Sequence, residues 1–127
     1  MRCSNKQGLT LVEVLITVFV LAIGILSSLL FFTNAMISTE YARDLTVATT
    51  HVEYVLEEIQ TRSTLANING TNWASWFTTQ GLNTLPSETV AVTYANAASD
   101  PLEVTATITW TKKNKTSNVA LTTKFTK

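Results

Sequence analysis

Apolar positions are spread unevenly along the chain. From Leu9 to Phe32 there are 24 mostly apolar residues, and Glu13 is the one formal charge among them. A helix over this run reaches about 36 Å at about 1.5 Å per residue, enough to span a hydrocarbon core of about 30 Å. Further on, Leu45, Ala48, Val52, Val55, Leu56 and Ile59 recur at three- and four-residue spacing, the stripe of an amphipathic helix. Glu53, Glu57 and Arg62 lie on its other face, and Glu58 and Arg62 form an i,i+4 pair. With no proline between Leu9 and Leu85, the pattern predicts one helix from Leu9 to about Leu65. Gly24 either bends its first half, allows close helix contact or is inert.

The period then changes. Asn67–Gly70 reads as the end of the long helix, because Asn and Gly favour turn conformations. Asn72 is a candidate N-cap for a short helix ending near Gly81, which puts Trp73, Trp76 and Phe77 on one face. Such a cluster is either core or a surface patch for sugar, an adhesion target or a neighbouring subunit, and the spacing favours core. After Pro86 the residues alternate with period two. Thr89–Tyr94 presents Val90, Val92 and Tyr94 together, and Leu102–Thr111 presents Leu102, Val104, Ala106, Ile108 and Trp110. Val119–Phe125 presents Val119, Leu121, Thr123 and Phe125, after a polar turn over Lys112–Asn118. The expected fold class is α+β: one long N-terminal helix, half membrane-length and half amphipathic, on a small antiparallel sheet of three or four strands.

The 127 residues are enough for one small domain, and their net charge of zero makes no case for a specific nucleic-acid partner. Cys3 is the sole cysteine, so no intramolecular disulfide and no cysteine-based metal site can form. His51 is the sole histidine and reads as a solvated helix residue beside Glu53 and Glu57. No phosphate loop, metal signature or nucleophile–base constellation occurs, so the chain is not expected to be an enzyme and no cofactor is implied. Charge is segregated: Glu40–Arg62 carries five acids and two arginines, and the chain from Lys112 onward carries five lysines and no acid. The lysines either guard an edge strand or mark an electrostatic contact.

Arg2 and Lys6 precede the apolar run without any acid, which predicts a cytoplasmic N-terminus and the remainder of the chain across the membrane. Three readings fit: a cleaved secretory signal, a plain single-span anchor, or a segment processed at its cytoplasmic end that keeps its helix. The run exceeds the usual signal core of about 7–15 residues. A plain anchor leaves Glu13 unexplained unless it snorkels to the headgroups, because acids within membrane spans are costly and usually face a partner.

The stretch Gly8-Leu9-Thr10-Leu11-Val12-Glu13, after a short basic leader and before an unbroken apolar run, resembles the processing signal of type IV pilin-like proteins. The resemblance implies a leader over residues 1–8, cleavage by prepilin peptidase between Gly8 and Leu9, and N-methylation of Leu9. It makes Glu13 the family's docking carboxylate, placed to pair with the N-terminal amine of its own or an adjoining subunit. It also implies a transmembrane or filament-core helix over 9–32 and a periplasmic globular domain over 33–127. Implied partners are the peptidase, other major and minor pilins, the inner-membrane assembly platform and membrane lipid. The segments Glu13–Ile16 and Leu21–Leu26 are similar to PilV-type minor pilins, and Glu13-Val14-Leu15 is shared with GspI-type minor pseudopilins of type II secretion. The first expectation is therefore a minor subunit of a bacterial pilus, the second a secretion pseudopilin. The rival from another class is an unprocessed, membrane-anchored periplasmic binding domain.

Overall fold

A computed structural model describes residues 10–126. Three helices precede three strands: α1 Leu11–Thr61, α2 Leu65–Gly70, α3 Trp73–Thr79, β1 Thr89–Tyr94, β2 Leu102–Lys112 and β3 Lys115–Phe125. The strands form one antiparallel sheet in the order β1-β2-β3. The fold is the α+β, pilin-like layout, with one long apolar N-terminal helix and a three-stranded antiparallel sheet. The chain divides into two compact units at Glu40 and Tyr41.

The described part of the first unit is the N-terminal stretch of α1. Its side chains are exposed throughout residues 10–40, including Leu15, Phe19, Leu30 and Phe31. The helix is long and apolar enough to cross a membrane, with a mean hydropathy of 2.8 over its most apolar 18 residues. Its hydroxyls bond to the preceding turn: Ser27 Oγ donates to the Ile23 carbonyl at 2.8 Å, Ser28 Oγ to that of Gly24 at 2.9 Å, and Thr33 Oγ1 to that of Leu29 at 3.0 Å. Polar groups satisfied within the helix remain compatible with a lipid surrounding. A Cβ at Gly24 would meet nothing within 4 Å, so no packing within the chain requires glycine there.

In the second unit the C-terminal stretch of α1 buries Ala48, Val52, Val55 and Ile59 against the sheet. The alternation in β2 provides the opposing face: Leu102, Val104, Ala106 and Ile108 are fully buried and Trp110 nearly so, while Glu103 and the intervening threonines are part-exposed. Each fully buried aliphatic side chain contributes about 1.5–3 kcal/mol. Thr105 and Thr122 bridge across the outer face at 2.8 Å, as do Thr111 and Thr116 at 3.0 Å. Both are cross-strand neighbours in the β2–β3 register.

Three boundaries differ from the pattern. Helix α1 ends at Thr61, not near Leu65, because Thr64 caps a separate helix by accepting from the Asn67 backbone N–H at 3.3 Å. The segment Asn67–Gly70 consequently lies inside α2 and does not end α1. Strand β3 starts at Lys115, since the turn needs only Lys113 and Asn114, whose φ values of 50° and 62° suit a two-residue I′ hairpin. The N-cap at Asn72 is present, with its Oδ1 accepting from the Ser75 backbone N–H at 3.1 Å.

Trp73 and Phe77 are buried and belong to the core. Trp76 is part-exposed, stacks on Tyr54 with centroids 5.8 Å apart, and meets Trp73 edge-on. Trp73 Nε1 donates to the Tyr94 hydroxyl at 2.9 Å, and that hydroxyl donates to the Ile68 carbonyl at 3.0 Å, tying β1 to α2 and α3. Burial raises the Tyr94 pKa above 10.0, and the Trp73 hydrogen bond offsets part of that rise. An unfolded tyrosine therefore ionises first. The stability tied to the neutral Tyr94 hydroxyl is complete below about pH 10 and is lost as pH rises through the raised value. Tyr94→Phe is expected to cost about 1 kcal/mol at neutral pH and to flatten the loss of stability above pH 10. Thermal unfolding followed by near-UV circular dichroism across that range checks both; equal alkaline slopes for the two proteins would refute it.

Candidate functional site

The start of α1 is built from Thr10 and Glu13. Helix initiation leaves backbone N–H groups without partners, and Thr10 supplies one acceptor: its Oγ1 takes the Glu13 N–H at 3.3 Å. The Val14 N–H donates to the Thr10 carbonyl at 3.2 Å, closing the first helical turn. Thr10-Leu11-Val12-Glu13 has the spacing of a capping box, a local signal that locates the helix start from sequence. Glu13 lies in the first turn of α1, where the helix dipole favours an acid. The Thr17 hydroxyl donates to the Glu13 carbonyl.

Glu13 is exposed and is surrounded on the helix surface by exposed Leu11, Val12 and Ile16. The arrangement is one carboxylate at the rim of an apolar rod. It can receive a cation from a partner, and it supplies no nucleophile, base pair or metal cage. Gly8 and Leu9, the expected cleavage and methylation residues, lie outside the described residues.

The folded unit contains a second polar constellation that sequence reading misplaced. His51 is not a solvated helix residue beside Glu53 and Glu57: it is buried, and its Nδ1 lies 2.7 Å from Glu88 Oε1. Glu88 has a fully buried side chain, and its Oε2 accepts the Leu85 backbone N–H at 2.8 Å. The imidazole also meets Phe77 edge-on at 5.8 Å. A histidine oriented by a carboxylate suits general-base chemistry in form. Here, among the described residues, no hydroxyl or thiol is hydrogen-bonded to it, and the pair pins the Leu85–Glu88 loop to α1. No local signal marks Glu88 as the partner, 37 residues away.

Among the described residues, no group of three or more His, Cys, Asp and Glu side chains is placed to hold a metal ion. The Glu58–Arg62 pair forms at 2.8 Å, and the Arg62 guanidinium lies 5.6 Å from the Trp73 ring centroid. Lys112 Nζ reaches Asp44 Oδ2 at 2.9 Å, and Lys124 Nζ reaches Glu103 Oε2 at 3.2 Å. The last pair is largely exposed and adds little stability.

Comparison with known proteins places one family on the N-terminal segment. The prokaryotic N-terminal methylation motif matches residues 3–29, a stretch that includes Gly8, Leu9 and Glu13. No curated protein and no solved structure matches the chain. The matched motif belongs to structural rather than catalytic proteins, and with the long apolar helix it fits membrane anchoring of a prepilin-type protein. The motif supports a type IV pilin-like or pseudopilin-like protein, with processing by prepilin peptidase and association with pilins generally.

Proposed function

We propose that this chain is a minor type IV pilin subunit of the PilV type. It is made as a prepilin with leader 1–8, cut by prepilin peptidase between Gly8 and Leu9, and N-methylated on Leu9. Residues 9–32 hold it in the bacterial inner membrane with its N-terminus cytoplasmic, and residues 33–127 form the periplasmic globular part. From there it enters a pilus or primes its assembly. The observation that carries this reading is the methylation motif over residues 3–29, continuous with an exposed apolar helix whose first turn holds one carboxylate.

Glu13 is the docking group in this scheme. After cleavage the Leu9 amine is a cation at the N-terminus of an apolar helix, and Glu13 is four residues, or one helical turn, away. A carboxylate pairs with that amine in its own chain or in a neighbour, and the cost of an unpaired charge in an apolar surrounding favours one axial register. The second reading is a minor pseudopilin of type II secretion, favoured by the shared Glu13-Val14-Leu15. Both readings use the same cleavage and the same docking residue.

The test is the intact mass and N-terminal sequence of the membrane-extracted protein, from hosts with and without prepilin peptidase. A chain starting at methylated Leu9 only in the peptidase host is expected. A chain still carrying Met1–Gly8 in both hosts would reduce the protein to an anchored periplasmic domain and sink the proposal.

A further inference from the structure

Strand β3 is an edge of the sheet, and it is long. Its 11 residues pair with β2 on one side, and no strand among the described residues lies on the other. The opposite edge differs: β1 has 6 residues, and α3 packs on it. The hairpin fixes which β3 backbone groups face outward. Lys112 and Lys115 flank the two-residue turn, where the turn's own hydrogen bond forms. Bonded and non-bonded pairs then alternate along an antiparallel ladder. Ser117, Val119, Leu121 and Thr123 therefore bond to β2, while Thr116, Asn118, Ala120, Thr122 and Lys124 turn their N–H and C=O groups to the free side. The hydroxyl bridges agree: Thr105–Thr122 and Thr111–Thr116 fall on non-bonded pairs, in which side chains approach more closely.

A row of unpaired backbone groups is a template for another chain, which proteins usually block with proline, bulges or inward-pointing charge. From Thr116 to Thr123 β3 has no proline and no charge, and its register with β2 runs without a bulge. Lys115 and Lys124 stand only at the ends, the first over the Tyr41 ring and the second against Glu103. The apolar layer also stops short at this edge. Val119, Leu121 and Phe125 pack on the core yet stay part-exposed, whereas their β2 partners Ile108, Ala106 and Leu102 are fully buried. A further strand beside β3 would cover that margin.

Charge and the existing neighbour decide which strand fits. On its paired side β3 accepts β2 through alternate apolar residues, with Glu103 across from Lys124. A second β3 has no such acid. Antiparallel self-pairing about Ala120 would set Lys124 opposite Thr116, one residue from Lys115, at both ends of the ladder. Like charges would then gather where β2 supplies an opposite one.

We infer that the free edge of β3 is a docking site for an extended strand of a different protein, apolar at alternate positions and carrying an acid toward Lys124. Main-chain hydrogen bonds supply the attachment, and the alternate side chains select the partner.

The test uses the full chain in detergent micelles, with a synthetic peptide of the sequence Leu102–Thr111 as the probe strand. Amide hydrogen exchange is read residue by residue. In the chain alone, the amides of Asn118, Ala120 and Thr122 are expected to exchange at least about tenfold faster than those of Val119 and Leu121. The peptide is expected to slow the first set about tenfold or more and to leave the second unchanged. Ala120→Pro removes an outward N–H and spares the ladder to β2, so it should abolish the slowing. A peptide with Glu103→Lys should slow exchange less, and this arm needs no change in the protein. Outward amides already as protected as their neighbours in the chain alone would show a covered edge and overturn the inference. Protection that grows with protein concentration before peptide is added gives the edge to a second copy and also overturns it. So does unchanged exchange with peptide, equal slowing by the lysine peptide, or loss of protection in β2, which marks exchange of strands in place of addition.

Discussion

Replacing Glu13 with valine is expected to leave the chain inserted and cleaved but to remove it from filaments. The carboxylate lies in the first turn of α1, exposed among apolar side chains. Its contribution to the helix start is small: a favourable dipole interaction is worth about 0.3–1 kcal/mol, and the Thr10 cap remains. In the proposed docking role its contribution is expected to be much larger. An uncompensated charge within a membrane-like core costs about 2.5–3.5 kcal/mol, or about a hundredfold in an assembly equilibrium. In the proposed scheme, loss of Glu13 leaves the amine of the processed chain to enter the filament core unpaired. Glu13→Gln keeps the size and removes the charge, so it is expected to fail in the same way. The ratio of sheared-filament to membrane-bound protein measures this, and normal incorporation of either variant would show that docking does not use the carboxylate.

The largest expected loss of stability comes from Glu88→Ala. The wild-type side chain is fully buried, holds His51 at 2.7 Å and accepts the Leu85 N–H at 2.8 Å. Truncation leaves both groups without that acceptor inside the fold and opens space beside His51. Removing one member of a buried pair costs about 3 kcal/mol or more, a drop of about 15 °C in melting temperature for a unit of this size. Adding His51→Leu should restore part of the loss, because the second change removes the orphaned polar ring and supplies apolar volume. Thermal unfolding of the two variants and His51→Leu alone closes the cycle. A Glu88→Ala protein within about 0.5 kcal/mol of wild type would show that the pair is dispensable.

The contrast between Glu13 and Glu88 shows what a one-dimensional reading carries. Glu13 is singled out by a local setting: one charge in an apolar run, after Arg2 and Lys6, in a motif of contiguous residues. Glu88 is not, because its meaning depends on a histidine 37 residues earlier, brought to it by the packing of a loop on a helix. His51, read by its helix neighbours Glu53 and Glu57, looked solvated. Burial is set by what covers a helix face, and no stretch of helix states that by itself.

The sequence by itself determined the elements whose signal is periodic or adjacent. These are the membrane-length segment, the amphipathic stripe from Leu45 to Ile59, the alternation of β2 and the Asn72 cap, because the physics there acts within a few residues. Tertiary structure decided the rest. The lysine-rich segment is split between a two-residue turn and β3, because pairing with β2 rewards extending the ladder to Lys115. Trp73 and Phe77 are in the core while Trp76 stays half-exposed on Tyr54, since position relative to the sheet, and not helical spacing, determines which of three aromatics loses its water.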